Sequence, residues 1–329
     1  MQWDIGLDFG ESGVRLATRQ KGIALTSPSW GALRGGEVIA IGDSAYDMLG
    51  RNPMGVTVEK PIASGMIGQP RLLAQWIRRM VDPFVSAGRL SRPNVVFSDT
   101  GLFKTSEKEL MAAAALEVGA QAVGWVEADI LTAAGAGLEV MKPRGSMIVS
   151  VGAGVMSASL VSYGRIVHAE RLPWGIARVD RDIIHQVCSQ AALSIGPRTA
   201  EEIKLSLACA IPGRDMKMRA VGLDLKGGFP AEKEITSEMI NPAVEPLVGA
   251  LATLILSCME QAPEELSADI YDTGVTLAGG GALLSGLTEA LKARTGMKIS
   301  LCETPELATI QGMALLLQDV DMSDQLVRR

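Results

Sequence analysis

Histidine and cysteine are scarce. His168 and His185 are the two histidines, and Cys188, Cys209, Cys258 and Cys302 lie far apart with no Cys-x-x-Cys spacing. A structural zinc site needs clustered thiolates and imidazoles, and a disulfide framework needs closely set cysteines, so neither is expected. Charged residues make up only 21% of the chain, and the formal net charge of −6 argues against non-specific nucleic-acid binding. The first residues, Gln2, Trp3 and Asp4, are not a basic region followed by an apolar core, which a signal peptide requires. Long apolar runs are missing as well. The most apolar window, residues 246–259, lies between Glu245 and Glu260 and is shorter than the roughly 20 residues that cross a bilayer. A cytoplasmic protein is therefore expected.

What the chain does have is length, apolar residues and glycine. With 329 residues, 47% of them hydrophobic, it exceeds the size at which one core usually keeps growing, so two lobes are expected. Residues 3–9 read as a buried strand, 10–13 as a turn and 14–18 as a returning strand, with a third from Gly22. A short strand at 37–41 precedes Asp43, the expected N-cap of a helix ending near Gly50. Residues 71–85 place Leu72, Leu73, Trp76, Ile77, Met80 and Val81 on one helical face. Ser106 and Glu109 have the spacing of a capping box for a helix running to Val118. A strand at 122–126 and a small-residue helix at 129–137 complete this half.

From Gly145 the pattern restarts. A shift that carries Asp8 onto Ser150 also carries Gly10 onto Gly152 and Gly22 onto Gly164, with apolar strands around each. Such a repeat predicts two lobes of similar topology, each presenting a glycine turn to the other. Helices then follow at 176–193 and 197–209, a strand pair or an extended excursion at 216–225, and a long apolar helix at 236–261. Residues 272–291 read as strand, glycine turn and helix. Gly279, Gly280 and Gly281 allow close approach of a ligand, and a helix N-terminus behind them would offer unpaired N–H groups. A plain tight connection is the other reading, since neither the P-loop nor the dinucleotide fingerprint is met. A strand at 298–301, a helix at 305–318 and a polar, frayed tail end the chain.

Residues 4–13, 145–154, 274–287 and the run Arg198-Thr199-Ala200-Glu201-Glu202-Ile203-Lys204 together resemble the MreB family, the bacterial actins; residues 45–53 and 135–138 look similar too. The resemblance implies an α/β, actin-like fold: two lobes, each built on a ribonuclease-H-like subdomain, with a cleft between them. It divides the chain into a first lobe of residues 1–144, with helix 305–318 packing back on it, a second lobe of residues 145–304, and a flexible tail, 319–329. It implies ATP or ADP in the cleft and self-association into filaments. It also implies other MreB-like proteins or cell-shape membrane proteins as partners, and peripheral contact with the inner face of the membrane. Carried onto this chain, the phosphate turns are Gly10, Glu11 and Ser12, and Gly152, Ala153 and Gly154. Glu201, Glu202 and Lys204 fall at the adenosine, and Gly280, Gly281, Ala282 and Leu283 complete that pocket. Asp8 is the metal-side carboxylate, and Glu127 the candidate for the water-orienting acid.

The departures cluster at the phosphates. Where the family has a Thr, this chain has Glu11, and a carboxylate about 4 Å from a phosphate charge costs about 4 kcal/mol at an effective dielectric near 20. The family's second-turn Asp is Ser150, which weakens retention of Mg²⁺. The water-orienting Glu falls on Ala128, so Glu127 or Asp129 would have to stand in after a one-residue shift. The family's Gly-Gly-Asp-Glu is Gly175-Ile176-Ala177-Arg178. Arg178 could reach Glu11 as an ion pair across the cleft, or both could face water. For membrane docking, residues 1–4 are too short for an amphipathic helix. Residues 88–92 offer Leu90 between Arg89 and Arg92, a loop that could meet anionic headgroups or simply be solvated.

Three functions follow: an MreB-like filament former or co-polymer with little or no ATP turnover, a divergent ATPase or kinase-like enzyme, and a non-polymerising adaptor. Adenine-nucleotide binding is expected to survive better than hydrolysis.

Overall fold

The computed structural model describes residues 2–86, 92–211, 213 and 215–329. Of the loop considered for membrane docking, residues 88–92, all but Arg92 lie outside the described residues. Two five-stranded sheets organise the rest. In the first, β1 (Ile5–Phe9), β2 (Gly13–Thr18), β3 (Gly22–Pro28), β4 (Asn94–Asp99) and β5 (Ala122–Glu127) lie in the order β3-β2-β1-β4-β5. In the second, β6 (Ser146–Val151), β7 (Met156–Ser162), β8 (Arg165–Leu172), β9 (Val275–Ala278) and β10 (Ile299–Leu301) lie in the order β8-β7-β6-β9-β10. Each sheet has three antiparallel strands followed by two parallel ones.

The match extends to register. Asp8 lies opposite Arg15 in the first sheet, and Ser150 opposite Ser157 in the second. The turns are closed the same way, by Gly10 N–H to Gly13 O and by Gly152 N–H to Val155 O, both 2.9 Å. The positions aligned by the sequence repeat thus occupy equivalent places in two sheets. Central strand β1 is buried at all five residues, as expected of a strand covered on both faces. Asp8 is the one charge it carries inward. Each lobe also holds a small three-stranded sheet: Glu37–Ile41, Gly31–Arg34 and Val56–Glu59 in the first, Leu193–Ser194, Lys217–Asp224 and Pro230–Thr236 in the second.

Helices α1 (Pro70–Ser86) and α2 (Thr105–Val118) cover one face of the first sheet through Leu72, Trp76, Ile77 and Met111. Helix α3 (Ala128–Gly135) lies towards the second lobe, where α4 (Ala177–Ala191), α5 (Pro197–Leu207), α6 (Ser237–Glu260) and α7 (Leu287–Thr295) cover the second sheet. By length and composition α6 could cross a membrane. Its stripe of Ile240, Val244, Leu247, Leu251 and Ile255 is buried in the second lobe's core instead. Helix α8 (Ala308–Gln318) packs on β1, β2 and β3 and crosses α3.

That crossing joins the lobes. A Cβ on Gly312 would lie 1.8 Å from the Leu131 carbonyl oxygen, and one on Gly135 would lie 1.8 Å from that of Ala308. The two backbones therefore meet without intervening side chains. Around them, one apolar cluster takes in Trp3, Ala17 and Val96 from the first lobe and Ile148, Val161 and Ala278 from the second.

Several boundaries differ from the sequence reading. Asp43 is not a cap: Gly42 is, and the helix stops at Tyr46. The capping box of α2 uses Glu107 rather than Glu109, because Glu107 accepts from Lys104 N–H and also from Ile67 N–H, both at 2.8 Å. The triple glycine does not open a helix. Residues Gly280–Leu283 form one 3₁₀ turn and α7 begins only at Leu287, so the unpaired helix N–H groups expected behind the turn lie elsewhere. The tail is not frayed either. It forms α9 (Val320–Leu326), capped by Asp319, with Met322 and Leu326 buried and Arg328 bridged to the edge strand at Trp125.

Gly312→Ala is expected to lower unfolding stability by about 3 kcal/mol, since the added methyl meets backbone that cannot step aside. Gly68→Ala, where a Cβ has nothing within 4 Å, should change it by less than about 0.5 kcal/mol. Urea midpoints of the two variants check this.

Candidate functional site

The two repeated turns face each other across a cleft of about 970 Å³. Its floor is the α3–α8 joint, represented by Asp129, Thr132 and Thr309, and both lobes contribute walls. Asp8, Gly10, Glu11, Ser12, Gly152, Ala153, Gly154, Glu201, Lys204, Gly280, Gly281 and Leu283 all line it. Three expected site residues do not. Ala282 is buried behind the 3₁₀ turn and Glu202 points to solvent from α5. Glu127 sits at the end of β5 between Arg171 and Arg328, at 3.7 and 3.6 Å. Burial raises its carboxyl above the ordinary value, and the nearby Asp99 adds to this against the two guanidinium groups.

At the end of the cleft where the two glycine turns meet, Asp8, Asp129 and Glu11 each have a partner from the chain. Asp8 accepts from Ser98 Oγ at 2.7 Å and from Arg15 Nη1 at 3.2 Å. Asp129 accepts from Ser157 Oγ, Ser159 Oγ and Arg171 Nη2, at 2.6, 2.7 and 2.8 Å. Glu11 accepts from Ser64 N–H at 2.8 Å and from Lys60 Nζ at 3.3 Å, and Lys60 in turn lies 4.6 Å over the Trp30 ring. The cross-cleft pair of Glu11 with Arg178 is not formed. Arg178 lies 3.7 Å from Asp182 and over the Trp174 ring, because α4 turns it along its own axis.

A divalent cation needs several free hard oxygens. Here Asp8 and Asp129 are committed to guanidinium and hydroxyl groups, and Ser150 stands where a third carboxylate would be. Among the described residues no cluster of His, Cys, Asp and Glu is placed to hold a metal. The residues present do not fit Mg²⁺.

The other end is differently built. Leu205 and Leu283 are 77% and 55% exposed and line the cleft, leaving apolar surface for a planar group. Glu201 accepts from the Tyr46 hydroxyl at 3.2 Å, a bond between lobes, with Arg198 over the Tyr46 ring. Burial raises the Tyr46 hydroxyl above its ordinary pKa, helped by the Glu201 charge. Lys204 Nζ meets Asp180 at 2.8 Å. Burial nevertheless raises Asp180, Lys204 opposing and Glu201 adding to the shift. Arg15, Tyr46, Lys60, Ser64 and Asp180 are among the cleft residues that sequence reasoning missed. Arg15 alone had a usable signal, its place opposite Asp8 across a short turn.

The family model described as MreB/Mbl protein matches residues 2–325. Among curated relatives, the cell shape-determining protein Mbl of Bacillus subtilis is 30% identical, over 97% of this chain and 96% of its own. The cell shape-determining protein MreB of Escherichia coli is also 30% identical, over 97% and 94%. Of solved structures, MreB5 of Spiroplasma citri bound to ADP aligns with a TM-score of 0.90 at 24% identity, covering 99% of each chain. The MamK double helical filament aligns at 0.79 and 17% identity, over 97% of this chain and 100% of that one. The fold is thus actin-like.

Because Asp180 is raised above its ordinary 3.8, its ionised form opposes folding at neutral pH. That opposition fades as the pH falls through the folded value and is gone below 3.8. Lys204→Met removes the counter-charge, so it should cost about 2 kcal/mol at pH 7 and progressively less as the pH is lowered, read from urea midpoints across the range.

Proposed function

The chain belongs to the MreB/Mbl family of cell shape-determining proteins, and on that premise we propose that it works as a filament-forming or co-polymerising member with an adenine-binding cleft and no useful hydrolysis. The observation that carries this reading is the extent of the likeness. It runs through both lobes, over residues 2–325, and at 30% identity covers nearly the whole length of the relatives. The Spiroplasma relatives were solved with ADP and with AMPPNP, which supports an adenine nucleotide as the ligand class. MamK's double helical filament supports self-association.

Hydrolysis lacks its acid. Glu127 lies outside the cleft lining, and Asp129, which does line it, is held by two hydroxyls and a guanidinium. A base must be within hydrogen-bond reach of the water it orients and free to accept from it. A cytoplasmic location, at or near the inner face of the membrane, and other MreB-like proteins as partners belong to the same proposal.

Sedimentation of the purified chain, alone, with adenine nucleotides and with anionic vesicles, tests it. Protein in the pellet as ordered polymer seen by negative-stain microscopy is expected, with phosphate release at background and unchanged by Glu127→Ala. Failure to pellet in every condition, including with an MreB relative added, would replace the filament reading by the adaptor.

A further inference from the structure

The charged groups at the phosphate end do more than fail to bind a metal; they fill the place between the two turns. Glu11 belongs to the first turn, yet its carboxylate reaches the second. A Cβ on Gly154 would lie 2.1 Å from Glu11 Oε2 and 3.0 Å from Ser64 N. Only a residue without a side chain lets the carboxylate and the Ser64 amide come so close. Ser64 and Gly65 form the tip of a two-residue hairpin between Ile62–Ala63 and Met66–Ile67, and both have positive φ, 52° and 74°, as a type I′ turn requires. This tip aims Ser64 N–H at Glu11. It also sets Gly65 against Val155, whose Cγ2 would lie 3.0 Å from a Cβ there.

The geometry is that of an anion held by one backbone amide and one lysine, pressed between two glycine turns. In an actin-like cleft that is a seat for phosphate oxygens. Here the anion is covalently part of the chain, 14% exposed, and its lysine is fixed by Trp30. Beside it Arg15 supplies to Asp8 the positive charge that a cation would otherwise bring. A ligand's second and third phosphates would have to displace a paired carboxylate and then lie beside it, and like charges at such a separation repel strongly in a partly dry site.

We propose that the Glu11 carboxylate is a built-in replacement for the outer phosphates of a nucleotide. The cleft then takes adenosine or its monophosphate without a metal ion and excludes the triphosphate. The ligand specificity rests on the adenine-binding reading above; the fixing of the carboxylate does not. Lys60 and Ser64 both belong to the first lobe, and the second lobe meets this end through the close approach of Gly154 and Val155, whereas Tyr46 with Glu201 joins the two lobes directly.

Two measurements on the full chain separate these parts. Calorimetric titrations with adenosine, AMP and ATP, each in Mg²⁺ and in EDTA, should show adenosine and AMP binding at least tenfold more tightly than ATP, with no effect of EDTA. Glu11→Thr should reduce that preference at least tenfold, and Glu11→Gln, which keeps an acceptor for Ser64 but not the charge, should reduce it in part. Tighter binding of Mg-ATP than of adenosine by the wild type would overturn the ligand proposal. Hydrogen exchange reads whether the carboxylate is fixed in place. The Ser64 amide should be protected at least tenfold more in the wild type than in Glu11→Thr, and equal exchange in the two would overturn that. Binding of no adenine compound would sink the adenine reading and the ligand proposal with it, and the exchange result would still decide whether Glu11 holds its place.

Discussion

A carboxylate withdrawn from water must be met by a cation or by hydrogen-bond donors, because the charged form loses far more hydration than burial returns. That constraint shapes the cleft. Asp8, Glu11 and Asp129 all point into it, and each is satisfied by side chains or amides of the chain itself. Arg15, Lys60 and Arg171 supply the positive charge. The α3–α8 joint supports the arrangement from below, since two backbones in contact fix the angle from which the turns approach.

The consequence concerns how the two lobes are held. A closed cleft presents the lobes in one relative orientation, and a filament made of such units needs that orientation to be constant. Nucleotide and metal are one means of holding it; paired side chains are another. The end of the cleft beside Leu205 and Leu283 keeps exposed apolar surface, while at the other end Asp8 and Glu11 are paired within the chain.

Much of the fold was legible. The shift that brings Asp8 onto Ser150 identifies two lobes, and Asp8 and Arg15 fall opposite each other once residues 10–13 are read as a turn. The substitution at Glu11 marked the phosphate end as changed, but its partners could not be read off. Lys60 and Ser64 come from 49 and 53 residues downstream, on a hairpin whose strands are two residues long and carry no periodicity. Pairing Glu11 with Arg178 followed the charges and ignored the direction of α4. The tail misled by composition: its acidic residues face out, while Met322 and Leu326 at helical spacing pack inward with Ser323 buried beside them. The triple glycine suggested a helix start because leucines follow it at helical spacing, whereas Gly286, at φ 73°, ends the turn before α7 begins.

Tyr46 with Glu201 and Arg171 with Asp129 join the lobes without nucleotide. Spin labels at Glu37→Cys in the first lobe and Lys226→Cys in the second, both exposed positions, in a Cys188→Ser background, report the distance between lobes by pulsed electron resonance. One narrow distance distribution is expected for the protein without nucleotide, unchanged by Mg-ATP. A broad, longer distribution that contracts on adding Mg-ATP would show that nucleotide, not these pairs, holds the lobes.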